Sequence, residues 1–308
     1  MLLLYGISLA FALIRCLVFV DMRINNYVLV LDCRQNTFIY FRHPHNFSGL
    51  PPLDQITLQF PNITGASTQN TNDFDLYKYF GDSWGIIFMH PGDYTPVCTT
   101  ELGAAAKLEP EFAKRGVKLC GFSVNDATSH VGWIKDIKVA TGQTVTFPLV
   151  CDPYRDYAVA LGVLDFTNRD SVGLPMTVRS VYIIKPDKTI AAMITYPASL
   201  GRNFDEILRA VDGLQRGKAG VACPADWRPG NRCIVNFPLS DAQAEEKFGK
   251  DGFDIVDLPS ERGKKDLKKH YLRYTKDPYA TPMPPTRMKG VNMALVCFSA
   301  ANEFDMLP

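Results

Sequence analysis

The sequence predicts an α/β fold, helices packed on one sheet, followed by a smaller second domain. Three observations point there. Short apolar runs alternate with helical patterns through the middle of the chain. The 308 residues, 46% of them hydrophobic, suffice for one good core and a smaller second one. A stretch with two glycines in five residues, Arg216-Gly217-Lys218-Ala219-Gly220, reads as the linker between them.

The elements follow in order. Residues 73–80 read as a strand and turn, leading into Gly81-Asp82-Ser83-Trp84-Gly85, where Gly, Asp and Ser favour a turn. Gly85-Ile86-Ile87-Phe88-Met89 is a buried strand, and residues 101–114, rich in Ala, Leu, Glu and Lys, form a helix. A second buried strand covers 118–124, a helix carrying Trp133 covers 126–137, and residues 147–151 and 156–161 give a short strand and a short helix. Two further strands, 179–185 and 189–196, flank the turn Pro186-Asp187-Lys188. Phe204, Ile207, Leu208, Val211 and Leu214 recur at helical spacing. Beyond the linker, residues 240–248 form a short helix with Asp241 and Glu245-Glu246 near its start.

The two ends differ from this middle. Residues 1–20 are strongly apolar but broken by Arg15, and no basic segment precedes them as a signal peptide requires. Ala10-Phe11-Ala12 mimics a cleavage site after a very short apolar stretch. As a membrane anchor the run would place Arg15 in the bilayer, at about 2.5–3.5 kcal/mol if central. Residues 1–53 are read as an N-terminal appendage, either targeting or disordered, and 279–308 as a disordered tail. The basic run 262–270 reads as a solvated face, with contact to an acidic membrane as the competing use.

A formal net charge of +1 gives no electrostatic case for nucleic acid. The eight cysteines show no C-x-x-C spacing and no matched histidine pair, which argues against zinc. In a chain this long they are expected as reduced thiols of a cytoplasmic protein. The apolar N-terminus leaves a targeted or membrane-associated form open.

The chemistry concentrates in His90-Pro91-Gly92-Asp93-Tyr94-Thr95-Pro96-Val97-Cys98-Thr99-Thr100-Glu101. Cys98 stands where a strand and loop turn into a helix, against first-turn amides that lack intrahelical partners and carry partial positive charge. A thiolate placed there is stabilised relative to its thiol. Pro91 and Pro96 stiffen the loop, and Thr95 brings a hydroxyl three residues before the sulfur. A lone cysteine is more often a small buried hydrophobe. Pro91 and Thr95 in register with Cys98 count against that use.

Pro91-x-x-x-Thr95-x-x-Cys98, with Gly81-Asp82-Ser83-Trp84-Gly85 before it, resembles the active-site region of peroxiredoxins, in particular the one-cysteine branch with a long C-terminal extension. The similarity runs over residues 60–278. It implies a thioredoxin-like fold, a central mixed sheet flanked by helices, over 54–218 and a smaller C-terminal α+β domain over 219–278. It implies a thiol peroxidase that reduces hydrogen peroxide and organic hydroperoxides, phospholipid hydroperoxides among them, through a cysteine sulfenic acid. Cys98 would be the nucleophile, Thr95 would hold peroxide or thiolate, Pro91 would shield the sulfur, and Arg179 matches the family's distant arginine. His90 would lie beside the site, with plain packing the competing role. No bound cofactor is implied; the reductant would be an external thiol such as glutathione or thioredoxin, and the protein a homodimer.

Two features leave alternatives open. Cys223, in Val221-Ala222-Cys223-Pro224, resembles the segment carrying the resolving cysteine of two-cysteine relatives. Some one-cysteine members also hydrolyse phospholipids at a serine like Ser83, with an aspartate matching Asp187 and a histidine whose place is taken here by Tyr77. Tyrosine is a poor base at neutral pH, so a turn feeding a strand is the preferred role for Ser83. A redox sensor or holdase built on the same thiol is the remaining alternative.

Overall fold

The computed structural model describes residues 58–70, 72–260 and 270–279, with the backbone of three strands nearer the N-terminus. These are β1 (Val18–Phe19), β2 (Tyr27–Asp32) and β3 (Thr37–Arg42), paired antiparallel in that order. The rest of the expected N-terminal appendage, the basic run up to residue 269 and the tail from 280 onward lie outside the described residues.

From residue 64 the order is β4 (Thr64–Gly65), β5 (Phe74–Asp75), α1 (Leu76–Phe80), β6 (Trp84–Met89), α2 (Pro96–Lys114), β7 (Val117–Ser123) and α3 (Ala127–Thr141). Then come β8 (Leu149–Cys151), α4 (Asp156–Ala160), β9 (Leu164–Arg169), β10 (Pro175–Thr177), β11 (Arg179–Ile184), β12 (Ile190–Tyr196) and α5 (Phe204–Arg216). The C-terminal part holds β13 (Val221–Ala222), β14 (Cys233–Val235), α6 (Asp241–Phe248), β15 (Phe253–Ile255) and β16 (Arg273–Thr275).

The central sheet has the order β12-β11-β6-β7-β8. β6, β7 and β8 run parallel, whereas β11 is antiparallel to both β6 and β12. Every residue of β6 and β11 is buried, because helices cover both faces. Strand alternation divides the core. Ile86 and Phe88 pack with Leu102, Trp133, Ile207 and Val211 of α2, α3 and α5. Ile87 and Met89 face the other way, onto Phe60, Leu76, Phe80 and Leu161. This is the thioredoxin-like arrangement of a mixed sheet between helices. Among the described residues no helix is long and apolar enough to cross a membrane.

The structure departs from the sequence reading in four places. The strand and turn expected at 73–80 shrink to the two residues of β5, because the Asp75 carboxylate accepts from the Lys78 amide at 2.9 Å and starts α1. The helix expected from residue 101 begins at Pro96, a favoured first helical residue. The β9–β10 hairpin is additional, since its residues 164–169 are too polar for an apolar-run signal.

The fourth is the linker. Arg216 is the last residue of α5 and is fully buried. Its guanidinium grips Asp277 with two bonds of 2.8 Å and lies 4.4 Å over the Trp227 ring. Asp277 also accepts from the Gly230 amide, so one ion pair fastens α5 to the antiparallel sheet β13-β14-β16-β15 of the C-terminal domain. The expected capped helix forms as α6, with Ser240 and Gln243 in a reciprocal capping box.

Asp277→Ala leaves the buried Arg216 with its longer 3.8 Å pairing to Asp212 and is expected to destabilise the fold by about 1.5–3 kcal/mol, the loss of charged hydrogen bonds. Denaturant unfolding measures this, and Trp227 fluorescence should change with it; a loss below about 1 kcal/mol would refute the fastening role.

Candidate active site

The site forms where β6 ends and α2 begins. Residues 90–95 make the intervening loop, and Tyr94 in it adopts a positive φ of 56°. Thr95 is the N-cap of α2 and Pro96 its first residue, which puts Cys98 in the first turn. The Thr95 carbonyl accepts from Thr99 through both its amide (3.0 Å) and its hydroxyl (2.8 Å). Cys98 is 0% exposed.

Arg179, the first residue of β11, reaches that sulfur: its Nη1 donates to Cys98 Sγ at 3.2 Å. The same Nη1 donates to Glu101 Oε2 at 2.7 Å, while Nε and Nη2 hold the Ala198 carbonyl at 3.0 and 2.8 Å. The distant arginine expected from sequence is thus beside the cysteine, and it is also ion-paired. Glu101 lies one turn along α2 from Cys98 and is held from its other side by Arg202. The Arg202 amide and Nε donate to Oε1 at 2.7 and 3.0 Å, and Nη2 donates to Oε2 at 2.8 Å. Arg202 Nη1 takes the Met89 carbonyl at the end of β6, at 2.8 Å. Sequence reasoning alone misses Glu101 and Arg202. The three-residue step from Cys98 to Glu101 is the available signal for one; nothing local marks the other.

Thr95 is engaged within its own loop. Its hydroxyl donates to the Gly92 carbonyl at 2.9 Å rather than to the sulfur, because the tight loop brings that carbonyl under it. What remains free on Thr95 are acceptor lone pairs. Pro91 is buried, and the carbonyl of His90 accepts from Thr177 Oγ1 at 2.7 Å, which fixes the loop to β10.

His90 belongs to a buried cluster. Asp93 takes His90 Nε2 at 3.0 Å on one oxygen and His130 Nδ1 at 2.8 Å on the other, with Ser129 Oγ at 2.7 Å. Burial pushes His90 below the ordinary imidazole value, which keeps it neutral. For Asp93 burial pushes upward, but the bonds from His130 and His90 outweigh it and hold the carboxyl below the usual range. Among the described residues this is the one group compact enough to hold a metal ion, its three ligand atoms lying within 4.8 Å of one another. Both carboxylate oxygens already serve the imidazoles, so the cluster clamps the loop, while His90 Nδ1 and His130 Nε2 are buried without a hydrogen-bond partner.

The residues of the hydrolase reading are engaged elsewhere. Tyr77 gives its hydroxyl to the Phe60 carbonyl, and burial raises its pKa, so it stays protonated and supplies no base. Asp187 accepts from the amide (3.0 Å) and hydroxyl (2.6 Å) of Thr189, shaping its own turn. No hydrogen bond among the described residues joins Ser83 to either; its amide donates to Phe80 at 3.0 Å. The glycines around it have a steric reason: Gly81 adopts φ +53° after α1, and a Cβ at Gly85 would lie 2.3 Å from the Phe80 ring.

The other described cysteines lie in different surroundings. Burial pushes Cys120, Cys151 and Cys223 upward, and Cys233 to about 11. Cys98 alone among them has a guanidinium on its sulfur.

Comparison with known proteins agrees with this geometry. The AhpC/TSA family matches residues 56–193, and the C-terminal domain of 1-Cys peroxiredoxin matches 217–250. Peroxiredoxin-6 of Mus musculus is 50% identical over 223 residues, 71% of this chain and 95% of its own length. 1-Cys peroxiredoxin A of Oryza sativa subsp. japonica is 45% identical over 218 residues, 70% of this chain and 94% of its own. A solved peroxiredoxin 6 of Arenicola marina, a cysteine-to-serine mutant, superposes with a TM-score of 0.67 at 41% identity, covering 73% of this chain and 98% of that one. A yeast mitochondrial 1-Cys peroxiredoxin, solved for its thiol resolving mechanism via glutathione/thioredoxin systems, gives 0.63 at 42% identity, covering 72% and 99%. With a cysteine in the first turn of α2, an arginine on its sulfur and relatives matching both parts of the chain, this protein belongs to the one-cysteine branch of the peroxiredoxins, thiol-dependent peroxidases of antioxidant defence.

Proposed function

We propose that Cys98 is the thiolate that attacks peroxide, that Arg179 and Thr95 position the peroxide, and that an external thiol restores the enzyme. The observation that carries this reading is the 3.2 Å contact between Arg179 Nη1 and Cys98 Sγ. In the first step a sulfur lone pair forms an S–O bond to one peroxide oxygen while the O–O bond breaks. The other oxygen leaves as alkoxide or hydroxide and takes up a proton, and Cys98 becomes a sulfenic acid. A guanidinium keeps its charge at any working pH, so Arg179 favours both the attacking thiolate and the charge developing on oxygen. The Thr95 hydroxyl, its proton committed to Gly92, accepts from the peroxide O–H. Pro91 helps keep bulk water from the sulfur.

The substrates in this reading are hydrogen peroxide and organic hydroperoxides, including those of phospholipids. The reductant is glutathione or a thioredoxin, the systems named for the yeast relative. A homodimer and a cytoplasmic location complete it.

Cys223 does not resolve the sulfenic acid in this reading. Arg202, next to the start of α5, is bonded to Glu101 beside the site, whereas Cys223 packs on Gly213 well along that helix. From Phe204 to Gly213 the helix rises about 14 Å, at ~1.5 Å per residue. A disulfide needs Cα atoms within roughly 4.4–6.8 Å.

Cys98→Ser should reduce peroxide consumption to the uncatalysed rate, because an alcohol is neither acidic nor nucleophilic enough. Appreciable turnover by the purified variant would refute the assignment. Arg179→Met should slow the first step about 10²–10³-fold, the loss typical of one charge-stabilising donor. Stopped-flow oxidation by hydrogen peroxide reads that rate, and an unchanged value would remove Arg179 from the site. Peroxide-treated protein should remain monomer-sized on a non-reducing gel; a covalent dimer that vanishes in Cys223→Ser would make the mechanism two-cysteine.

The loop clamp gives a pH dependence. His90, depressed in the fold, binds its proton more readily when unfolded, so stability falls as pH drops below the ordinary imidazole value of 6.5. Asp93, also depressed, adds a second loss as pH falls below the ordinary carboxyl value of 3.8. Urea unfolding between pH 7.5 and 4 should show the first loss in the wild type and a flatter profile in His90→Asn. Identical profiles would show that the cluster does not clamp the loop.

A further inference from the structure

We propose that Cys223 and Cys233 form a second redox centre, a dithiol that small hydroperoxides convert to an intrachain disulfide in the C-terminal sheet. β13 and β14 run antiparallel, with Val221 opposite Val235 and Ala222 opposite Ile234. Continued one residue past the end of β13, this register places Cys223 opposite Cys233. Directly opposed residues of antiparallel strands have Cα atoms roughly 4.5–5.5 Å apart. That lies inside the ~4.4–6.8 Å a disulfide spans. The two cysteines share one apolar cluster, Cys223 packing against the group that holds Cys233, and both are free.

The surroundings hold the pair in place. Cys223 Sγ lies 3.8 Å from the Gly213 carbonyl of α5, and a Cβ at Gly213 would come within 3.4 Å of that sulfur. Glycine at this helical position therefore admits the cysteine. Cys233 is fully buried and packs with Val221 and Trp227, whereas Cys223 is half-buried and open to small solutes. The positive charges of Arg216 and Arg209 act on Cys223 in favour of its thiolate, though burial outweighs them and leaves the thiol above its ordinary pKa. Cys233 is higher still, at about 11 through burial. Cys223 is accordingly the sulfur that reacts first and Cys233 the one that closes the bond. The couple is slow beside Cys98, which has a guanidinium at 3.2 Å.

The chemistry balances. The Cys223 thiolate attacks one peroxide oxygen, forming a sulfenic acid as the O–O bond breaks, and the other oxygen departs as alcohol or water after protonation. The Cys233 sulfur then attacks the Cys223 sulfur, and the displaced hydroxide leaves as water with the Cys233 proton. Two thiols and one hydroperoxide give one disulfide, one alcohol and one water. A dithiol reductant reverses it. Oxidation by the Cys98 sulfenic acid of the same chain is excluded by the separation along α5, so this centre works independently of the peroxidase site.

Peptide mapping of the full chain tests this. Wild type and Cys98→Ser are exposed to excess hydrogen peroxide, quenched with iodoacetamide and digested with trypsin without reduction. Trypsin cuts after Arg232, between the two cysteines, so the oxidised pair appears as peptide 219–232 joined to peptide 233–247. The linked species should form in both proteins, in the wild type only after Cys98 is oxidised, and should disappear with dithiothreitol. Recovery of both cysteines in alkylated form after prolonged peroxide would overturn the proposal. So would linkage of either cysteine to Cys98 or to another chain, or absence of the linked species from Cys98→Ser.

Discussion

The structure around the reactive sulfur depends on one buried carboxylate. Glu101 is 3% exposed and lies between Arg179 and Arg202, which are also buried. Moving a carboxylate and two guanidinium groups out of water is costly, and such a cluster persists only when hydrogen bonds satisfy its members. Here both carboxylate oxygens accept from arginine, and the remaining guanidinium donors take the carbonyls of Met89 and Ala198. Four segments meet at that point: the end of β6, the first turns of α2, the start of β11 and the entry to α5. The position of Cys98 relative to Arg179 is set by this junction rather than by the loop alone.

The charges in the junction also explain its chemistry. Two arginines and one glutamate leave one positive charge uncompensated. The Cys98 sulfur lies within reach of Arg179, at 3.2 Å, where fixed positive charge favours a negative group. In the proposed reaction, attack on peroxide would carry negative charge from the Cys98 sulfur to the leaving oxygen, still beside the same guanidinium. No group has to reorganise between the two states, which is how fixed charge lowers a barrier. Cys120 is buried as well, and there burial alone acts on the thiol and pushes it upward.

What the sequence revealed follows the range of each interaction. Cys98, Thr95 and Pro91 lie within eight residues of one another, so their grouping at a helix start is readable from spacing and helix physics. The strands β6, β7, β8, β11 and β12 are also readable as apolar runs. Arg179 is separated from Cys98 by most of the domain and becomes visible only through resemblance. Arg202 stays invisible because it lies in an exposed-looking Leu200-Gly201-Arg202-Asn203 turn whose partner is on α2. Arg216 reads as linker for the same reason: glycines follow it, and its partner Asp277 is near the far end of the described chain.

The motif around Ser83 shows how a shared pattern can have a purely steric origin. Gly81 ends α1 with a positive φ that other residues rarely adopt, and Gly85 is the second residue of β6, where the Phe80 ring leaves no room for a Cβ. Trp84 and Phe80 are buried in different halves of the core, so the five-residue turn must place two large rings on opposite faces of the sheet. Asp82 and Ser83 suit such a turn without any catalytic duty. The residues that would activate the serine are spent on local bonds, Tyr77 to Phe60 and Asp187 to Thr189. Packing therefore accounts for the motif at each of its glycines, and the nucleophilic chemistry of the described structure rests on sulfur.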